Sequence, residues 1–236
     1  MPTPAWTAIL PAAGTGQRFG GPTPKQFLEI DGKPIFIRTV STILTVPGIA
    51  GVVLAVSPEH FERMAQLVQE FIPNDIGIPI DIVEGREERY LTIQQALHHS
   101  TAHHAEIVVV HDAVRPLASP RLFEAVVKGA EDYGACVPAL PIPDTVKTVD
   151  HSGIITSTLD RQQLRRIQTP QAFRRTLIDR AYRTLEADVL PTDDASVIER
   201  AGGHVHTVLG EEMNLKITTP ADLAIAEFFV RTFLRE

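Results

Sequence analysis

Ile107–Pro116 reads IVVVHDAVRP. Four consecutive apolar residues, three of them valine, predict a strand covered on both faces rather than one turned toward water. The run stops at His111–Asp112, so a buried strand delivers a carboxylate at its carboxyl end. Strands of this kind belong to parallel sheets, which bind ligands beyond the carboxyl ends of their strands. Working outward, Trp6–Leu10 and Val52–Ser57 read as further strands, Ile80–Val83 as a short one, and Ala135–Leu140 and Val205–Leu209 as two more. Helical patterns fill the gaps. Ser57 and Pro58 supply an N-cap and a first helical position for "PEHFERMAQLVQEF", and Arg89–His99 has helical spacing. Ser119–Pro120 opens another helix that Gly134 closes, and Thr219, Pro220 and Asp222 start the amphipathic tail.

This alternation predicts an α/β fold, a mostly parallel sheet flanked by helices. One region breaks the rhythm. Residues 141–159, "PIPDTVKTVDHSGIITSTL", alternate β-branched side chains around "DHSG" and predict a projecting β-arm with its turn near Asp150–Gly153. Such an arm must bury a face, either on a partner subunit or by folding back. No repeat, low-complexity tract or linker interrupts the chain, so a single domain over 1–236 is expected.

The chain has 236 residues and a hydrophobic content of 44%, enough for a sizeable core, while aromatics at 6% leave most packing to aliphatic side chains. A net charge of −7 argues against a general nucleic-acid binder. It does not exclude an anionic substrate, because a few cations in a cleft set the local field. The lone Cys136 reads as a small buried hydrophobe and fits a reducing compartment. The start carries no basic leader, and no run approaches the ~20 apolar residues that cross a bilayer. A cytoplasmic protein without membrane or nucleic-acid partners is the expectation.

Four groups of residues can carry chemistry. Ile9–Gln26, "ILPAAGTGQRFGGPTPKQ", leaves the first strand through Ala12, Ala13 and Gly14, whose small side chains let a phosphate approach backbone N–H groups. Arg18 and Lys25 add a planar fork and a mobile point charge. Neither the GxGxxG fingerprint nor a GK[ST] loop is present, and an ordinary glycine-rich turn with solvated cations fits the same pattern. In the second group, Asp112 is placed to hold Mg²⁺, with Arg115 three residues on. A turn-capping aspartate paired with Arg115 is the structural alternative. The third, "EGREERYLT" at Glu84–Thr92, offers Gly85 and a helix start to a base, with Arg89 as a brace, or is simply a solvated helix start. The fourth comprises "DTVK", "DR" at Asp160–Arg161, "QTPQ", "TDDAS" and "NLKITTPAD", each readable as a cap or loop. The tract "HHSTAHH" at His98–His104 reads as the end of a helix before a metal site, and His111 as structural before general base.

Taken together, "PAAGTGQRFG", "PKQF", "HDAVRP", "DTVK", "QTPQAF", "TDDAS" and "NLKITTPADL" resemble, in family order, the 2-C-methyl-D-erythritol 4-phosphate cytidylyltransferases. The resemblance runs from residue 11 to about 228. It implies a Rossmann-like nucleotidyltransferase, a homodimer joined through β-arms, and transfer of CMP from CTP to methylerythritol phosphate with Mg²⁺ as cofactor. It implies Arg18 and Lys25 as catalytic cations and Ala12, Ala13 and Gly14 as the phosphate loop. Gly85, Thr92, Asp112, Ala113 and Lys216 become further nucleotide contacts, with Asp112 also on the metal. Arg115, Thr145, Arg161, Thr169 and Thr192 become acceptor contacts, Thr145 and Arg161 coming from the neighbouring arm. The family pattern GGxxRxxS is altered: Arg86 stands at the second glycine and Thr92 at the serine. Arg86 fits there without strain only if its φ is negative. A fusion with the pathway's later cyclase is not expected. The alternatives are a ribitol-5-phosphate or other sugar-phosphate nucleotidyltransferase, and a nucleotide-binding regulator without catalysis.

Overall fold

The structure is a computed structural model describing residues 4–14, 19, 23–103, 105–186 and 190–233. Its first strand, β1 (Trp6–Pro11), pairs in parallel with β4 (Ile49–Val56) on one side and with β6 (Ile107–Val110) on the other. Beyond β4 lies β5 (Ile80–Glu84), also parallel, at the sheet edge. Between β1 and β4 the chain makes a two-residue ladder, β2 (Glu29–Ile30) with β3 (Lys33–Pro34), and helix α1 (Ile35–Leu44).

Alternation along these strands divides the core between the two faces, as a period of two requires. Trp6, Ala8 and Leu10 of β1, Val52, Leu54 and Val56 of β4, and Ile107 and Val109 of β6 share one cluster with α1, α2 (Phe61–Phe71) and α5 (Pro120–Tyr133). Ile9, Val53, Val108 and Val110 face a second cluster with α3 (Arg89–Leu97) and the short α4 (Ser100–His103). All of these strand residues are buried, so the apolar runs of the sequence are explained by cover on both faces. Helix α5 starts and stops as its sequence predicts. Ser119 Oγ accepts from Leu122 N–H at 3.2 Å, and Gly134 ends the helix at φ 93°, a conformation that favours glycine. Ser57 departs from expectation. Its side chain makes no cap, lying instead 3.5 Å from Glu59 Oε1, and a 3₁₀ turn at Pro58–His60 precedes α2.

The far half of the sheet is mixed. β7 (Ala135–Pro141) carries β12 (His206–Leu209) in parallel on one side. Along its other side run β10 (Arg165–Ile167) and β11 (Gln171–Arg174), both antiparallel, and β11 continues onto β6. The cis peptide Thr169–Pro170 lies between them. Helices α6 (Arg175–Arg183) and α7 (Asp194–Arg200) pack on the second cluster, and α8 (Pro220–Phe233) joins a third with Ile30, Ile35 and Ile217. Within residues 141–159 a hairpin forms: β8 (Lys147–Val149) pairs antiparallel with β9 (Ile155–Thr158), and the Asp150 carboxylate accepts from Ser152 and Ile154 N–H to close the turn.

Candidate active site

Parallel pairing sends β1, β4, β5 and β6 out of the sheet at the same edge, where the segments after them enclose a cleft. The first segment is Ala12–Gly14. Ala12 N–H donates to Ala55 O at 2.7 Å, and the buried Gln26 Nε2 donates to Ala12 O at 2.7 Å. The loop is therefore held from both sides, with Gly14 exposed toward the cleft. Lys25 enters from the 3₁₀ turn Lys25–Phe27. Arg18 lies outside the described residues.

The second segment follows β5. Gly85 N–H donates to Val56 O at 2.7 Å. A Cβ on Gly85 would come within 2.5 Å of the Ala13 Cβ, so glycine is required by close approach of this turn to the first loop. Arg86 sits in ordinary backbone, because Asp31 is the sole non-glycine residue with positive φ among those described. Its amide donates to Thr92 Oγ1 at 2.8 Å, and its Nε donates to Gln95 Oε1 at 2.6 Å. Thr92 lines the cleft wall, but its hydroxyl is committed to the turn, with the carbonyls of Arg86 and Glu88 each at 3.1 Å. Thr92, expected at the nucleotide, thus also shapes the loop.

The third segment holds the charge centre. Asp112 is buried at the end of β6 and meets three cations: Lys216 Nζ at 3.0 Å, Arg115 Nε at 3.2 Å and Arg89 Nε at 3.8 Å. Burial pushes its carboxyl up, but Lys216, Arg89 and Arg115 outweigh this and hold it well below the usual carboxylate range. Arg89 is itself anchored, its Nη2 lying 2.7 Å from Oδ2 of the fully buried Asp194, whose Oδ1 accepts from Tyr182 Oη at 2.6 Å. Burial lowers the Arg89 pKa, yet Asp194 and Asp112 raise it beyond its ordinary value. Burial and the Asp194 charge likewise push the Tyr182 phenol well above its usual range. Arg115 also donates to Asn214 O at 2.8 Å, which ties the β6 exit to the segment that carries Lys216.

Behind Asp112 lies His111, fully buried against Phe123. Its Nε2 faces Arg115 O at 3.2 Å, so that nitrogen carries the proton and Nδ1 accepts from Thr169 Oγ1 at 3.0 Å. Thr169 Oγ1 in turn accepts from Asp112 N–H at 3.1 Å. Burial lowers the His111 pKa to about 4, outweighing the attraction of Asp112. The ring is neutral at physiological pH and positions the loop, in keeping with the structural role read for it. Thr169, expected at the acceptor, is buried with its hydroxyl committed to His111 and Asp112.

The cleft thus brings together Ala12, Ala13, Gly14, Lys25 and Thr92 with Asp112, Ala113 and Lys216. Gly85 supports it from behind, and Arg115 supports Asp112. Thr145, Arg161 and Thr192 do not reach it. Thr145 and Arg161 are exposed at the base of the arm, where Arg161 donates to Pro143 O. Thr192 faces a separate hollow with Ser196, Glu199 and Thr207. In the histidine tract, His99 approaches Asp81 at 3.4 Å, His104 lies outside the described residues, and no group of three or more potential metal-binding side chains occurs among those described.

The family model for 2-C-methyl-D-erythritol 4-phosphate cytidylyltransferase matches residues 6–232. The chain belongs to this family. A cytidylyltransferase of that name from Acidobacterium capsulatum is 39% identical over 232 residues, covering 94% of this chain and 96% of the relative. One from Bacillus thuringiensis is 37% identical over 226 residues, covering 95% and 97%. Among solved structures, the 4-diphosphocytidyl-2C-methyl-D-erythritol synthase of Anaerococcus prevotii superposes with a TM-score of 0.81 at 28% identity, covering 97% of each chain.

Several parts of this cytidylyltransferase site were not read from the sequence as site residues. Asp194 was assigned only to a helix start, which its neighbour Asp193 caps by accepting from Ser196 N–H at 3.0 Å. The paired glutamines around Thr169–Pro170 act as staples. Gln168 Nε2 donates to Glu211 O at 2.8 Å, while Gln171 Nε2 donates to Asp193 Oδ2 at 2.8 Å and Gln171 Oε1 accepts from Ala195 N–H at 3.0 Å. The recurrence of an amide side chain on each side of one X–Pro step was the available signal.

Proposed function

We propose that the cleft binds CTP and transfers its cytidylyl group to 2-C-methyl-D-erythritol 4-phosphate, giving 4-diphosphocytidyl-2-C-methyl-D-erythritol and pyrophosphate in isoprenoid biosynthesis. The observation that carries this reading is the buried Asp112, kept ionised among Lys216, Arg115 and Arg89 at the mouth of a backbone-lined loop. Family membership supplies the substrates. A phosphate oxygen of the acceptor attacks the α-phosphorus in line; the new P–O bond forms as the bond to the β-phosphate oxygen breaks. The acceptor phosphate is already anionic, so no strong base is required.

The barrier is the meeting of two polyanions. The Ala12–Gly14 amides would orient the triphosphate, and Lys25, Arg18 and Lys216 would offset charge on the phosphates as it shifts toward the leaving group. Mg²⁺ fits this site. Asp112 is ionised, and its Oδ1 lies 3.8 Å from Arg89 Nε, beyond hydrogen-bond reach. Mg²⁺ commonly takes one or two carboxylates and completes its shell with phosphates and water. Bound there, it would neutralise phosphate charge.

The remaining acceptor contacts are assigned to a second subunit. Val149, Ile154, Ile155 and Leu159 leave an apolar surface exposed on and beside the arm, which favours a homodimer in which the partner's arm reaches the cleft. The reading includes one nucleotidyltransferase domain over 1–236 and a cytoplasmic location; among the described residues no helix is long and apolar enough to cross a membrane.

The test is pyrophosphate release from purified protein with CTP and Mg²⁺, comparing methylerythritol phosphate with ribitol 5-phosphate. Release with the first alone is expected. Release with the second alone moves the protein to another acceptor, and silence with both rejects the reading. Lys25→Ala is expected to lower turnover far more than stability.

A further inference from the structure

The turn after β5 carries a side chain whose position has a chemical consequence. Arg86 lines the same cleft as Lys216, and its exposed guanidinium is pinned from α3 by Gln95 through Nε at 2.6 Å. Its main chain is fixed at the same time by Thr92, through both N–H and C=O. Among the described residues, its two terminal nitrogens have no hydrogen-bond partner. An arginine normally moves freely at a loop surface. Here one of its five donors is used to set the plane of the fork, and four N–H groups remain on the terminal nitrogens.

The turn also lies next to the phosphate loop, because Gly85 packs on Ala13. A nucleotide laid along Ala12–Gly14 therefore has a neighbouring wall made of Arg86 and Glu87. Thr92 has no proton to donate to a base from that wall, since its one hydroxyl proton faces the carbonyls of Arg86 and Glu88. Discrimination falls to groups that remain available, and Arg86 presents donors only.

We propose that Arg86, oriented by Gln95, is a specificity-determining residue that selects cytosine over uracil by donating to the base's acceptor edge. The inference rests on the CTP reading above. Cytosine presents acceptors at both O2 and N3. Uracil keeps O2 but carries a hydrogen on N3, which opposes a donor. A donor-only fork therefore favours cytosine at N3, and a fork of this kind is worth roughly ten- to a hundredfold in discrimination between bases.

The experiment measures kcat/KM for CTP and for UTP by pyrophosphate release, in wild type and in the variants Arg86→Gly, Arg86→Lys and Gln95→Leu, each checked for its melting temperature. Arg86→Gly is expected to reduce the CTP/UTP ratio roughly tenfold or more, with the change in KM and the CTP kcat largely kept. Arg86→Lys keeps a donor-only cation but loses the fork, so it should reduce the ratio by a smaller factor than Arg86→Gly; it also serves if the glycine variant does not fold. Gln95→Leu should move the ratio the same way by a smaller factor. An unchanged ratio in Arg86→Gly or Arg86→Lys overturns the proposal. An equal loss with both nucleotides also overturns it, since that marks a role in shape or charge alone. Wild-type protein that fails to use CTP overturns the underlying reading, a result distinct from a wild type that uses CTP without Arg86-dependent selectivity.

Discussion

Lys216 Nζ lies 3.0 Å from Asp112 Oδ2, the oxygen that also accepts from Arg115 Nε. The pair joins the exit of β6 to the segment before α8, and the two members differ in environment: Asp112 is buried, whereas the Lys216 side chain is 36% exposed. That difference separates their mutational effects.

Asp112→Asn leaves three cations around a neutral amide. Removing one partner from a buried charge cluster typically costs about 3–5 kcal/mol. The variant should unfold at markedly lower denaturant and lose turnover. Lys216→Ala should lower turnover by roughly two to three orders of magnitude, the scale of removing one group that stabilises developing charge, with little loss of stability. Denaturant titration alongside pyrophosphate release checks both. A Lys216→Ala protein with normal turnover removes Lys216 from the chemistry.

Gly85→Ala tests the contact between the two loops. Its new Cβ would collide with the Ala13 Cβ, and overpacking of this kind costs about 1–3 kcal/mol. The expected result is lower stability and a raised KM for CTP, because the Ala12–Gly14 loop, proposed to orient the triphosphate, must shift. Ala13→Gly in the same chain removes the colliding atom. The double variant should recover much of the loss, a coupling that a thermodynamic cycle measures directly. If the two effects simply add, the loops do not brace one another.

The parts of this site that were legible in the sequence are those set by local chemistry. Four apolar residues ending in His111–Asp112 announce a buried strand with a carboxylate at its exit, and Ala12–Gly14 announce a loop that a phosphate can approach. The antiparallel strands β10 and β11 were not legible. Arg165–Ile167 is exposed and carries two arginines, while Gln171–Arg174 mixes a buried amide with an exposed cation, so neither shows a strand's alternation. Their pairing is decided by β7 and β6, which lie far away in sequence. Asp194 was hidden for the opposite reason. Two adjacent aspartates at a helix start are fully explained by capping, and only the fold shows that Asp193 alone caps while Asp194 turns inward to Arg89 and Tyr182. Arg86 shows the limit of motif comparison: its identity raised a question of backbone strain that only its φ and its Gln95 contact answer.

Thr169→Val and Thr169→Ser separate two roles of one hydroxyl. Valine removes the acceptor for Asp112 N–H and the donor for His111 Nδ1, leaving buried polar groups unpaired at about 1–3 kcal/mol. Serine keeps both bonds and should stay close to wild type in stability. Activity should follow the same order, because the Asp112 backbone is held by this hydroxyl. A serine variant as impaired as the valine one would shift the explanation from hydrogen bonding to the lost methyl group.

His111 predicts how the fold responds to acid. Burial holds its pKa near 4 in the folded protein, below the ordinary value of 6.5 that an unfolded chain recovers. Below pH 6.5 the unfolded state therefore binds a proton that the folded state refuses, and stability must fall as the pH drops. The loss begins near pH 6.5, grows until about pH 4, and levels off once both states are protonated. At 1.36 kcal/mol per unit of difference, the full effect is about 3 kcal/mol. Asp112 acts in the same direction but at more acidic pH: its depressed pKa gives stability that is present above the unfolded carboxylate value and is lost as pH falls toward the folded one. Denaturant unfolding of wild type and His111→Asn from pH 7.5 to 4 isolates the histidine. The variant should be less stable at neutral pH, having lost the ring's contacts, yet its stability should decline less steeply between pH 6.5 and 4. Parallel curves would mean that His111 binds its proton equally well in the folded and unfolded states, so that burial does not depress its pKa.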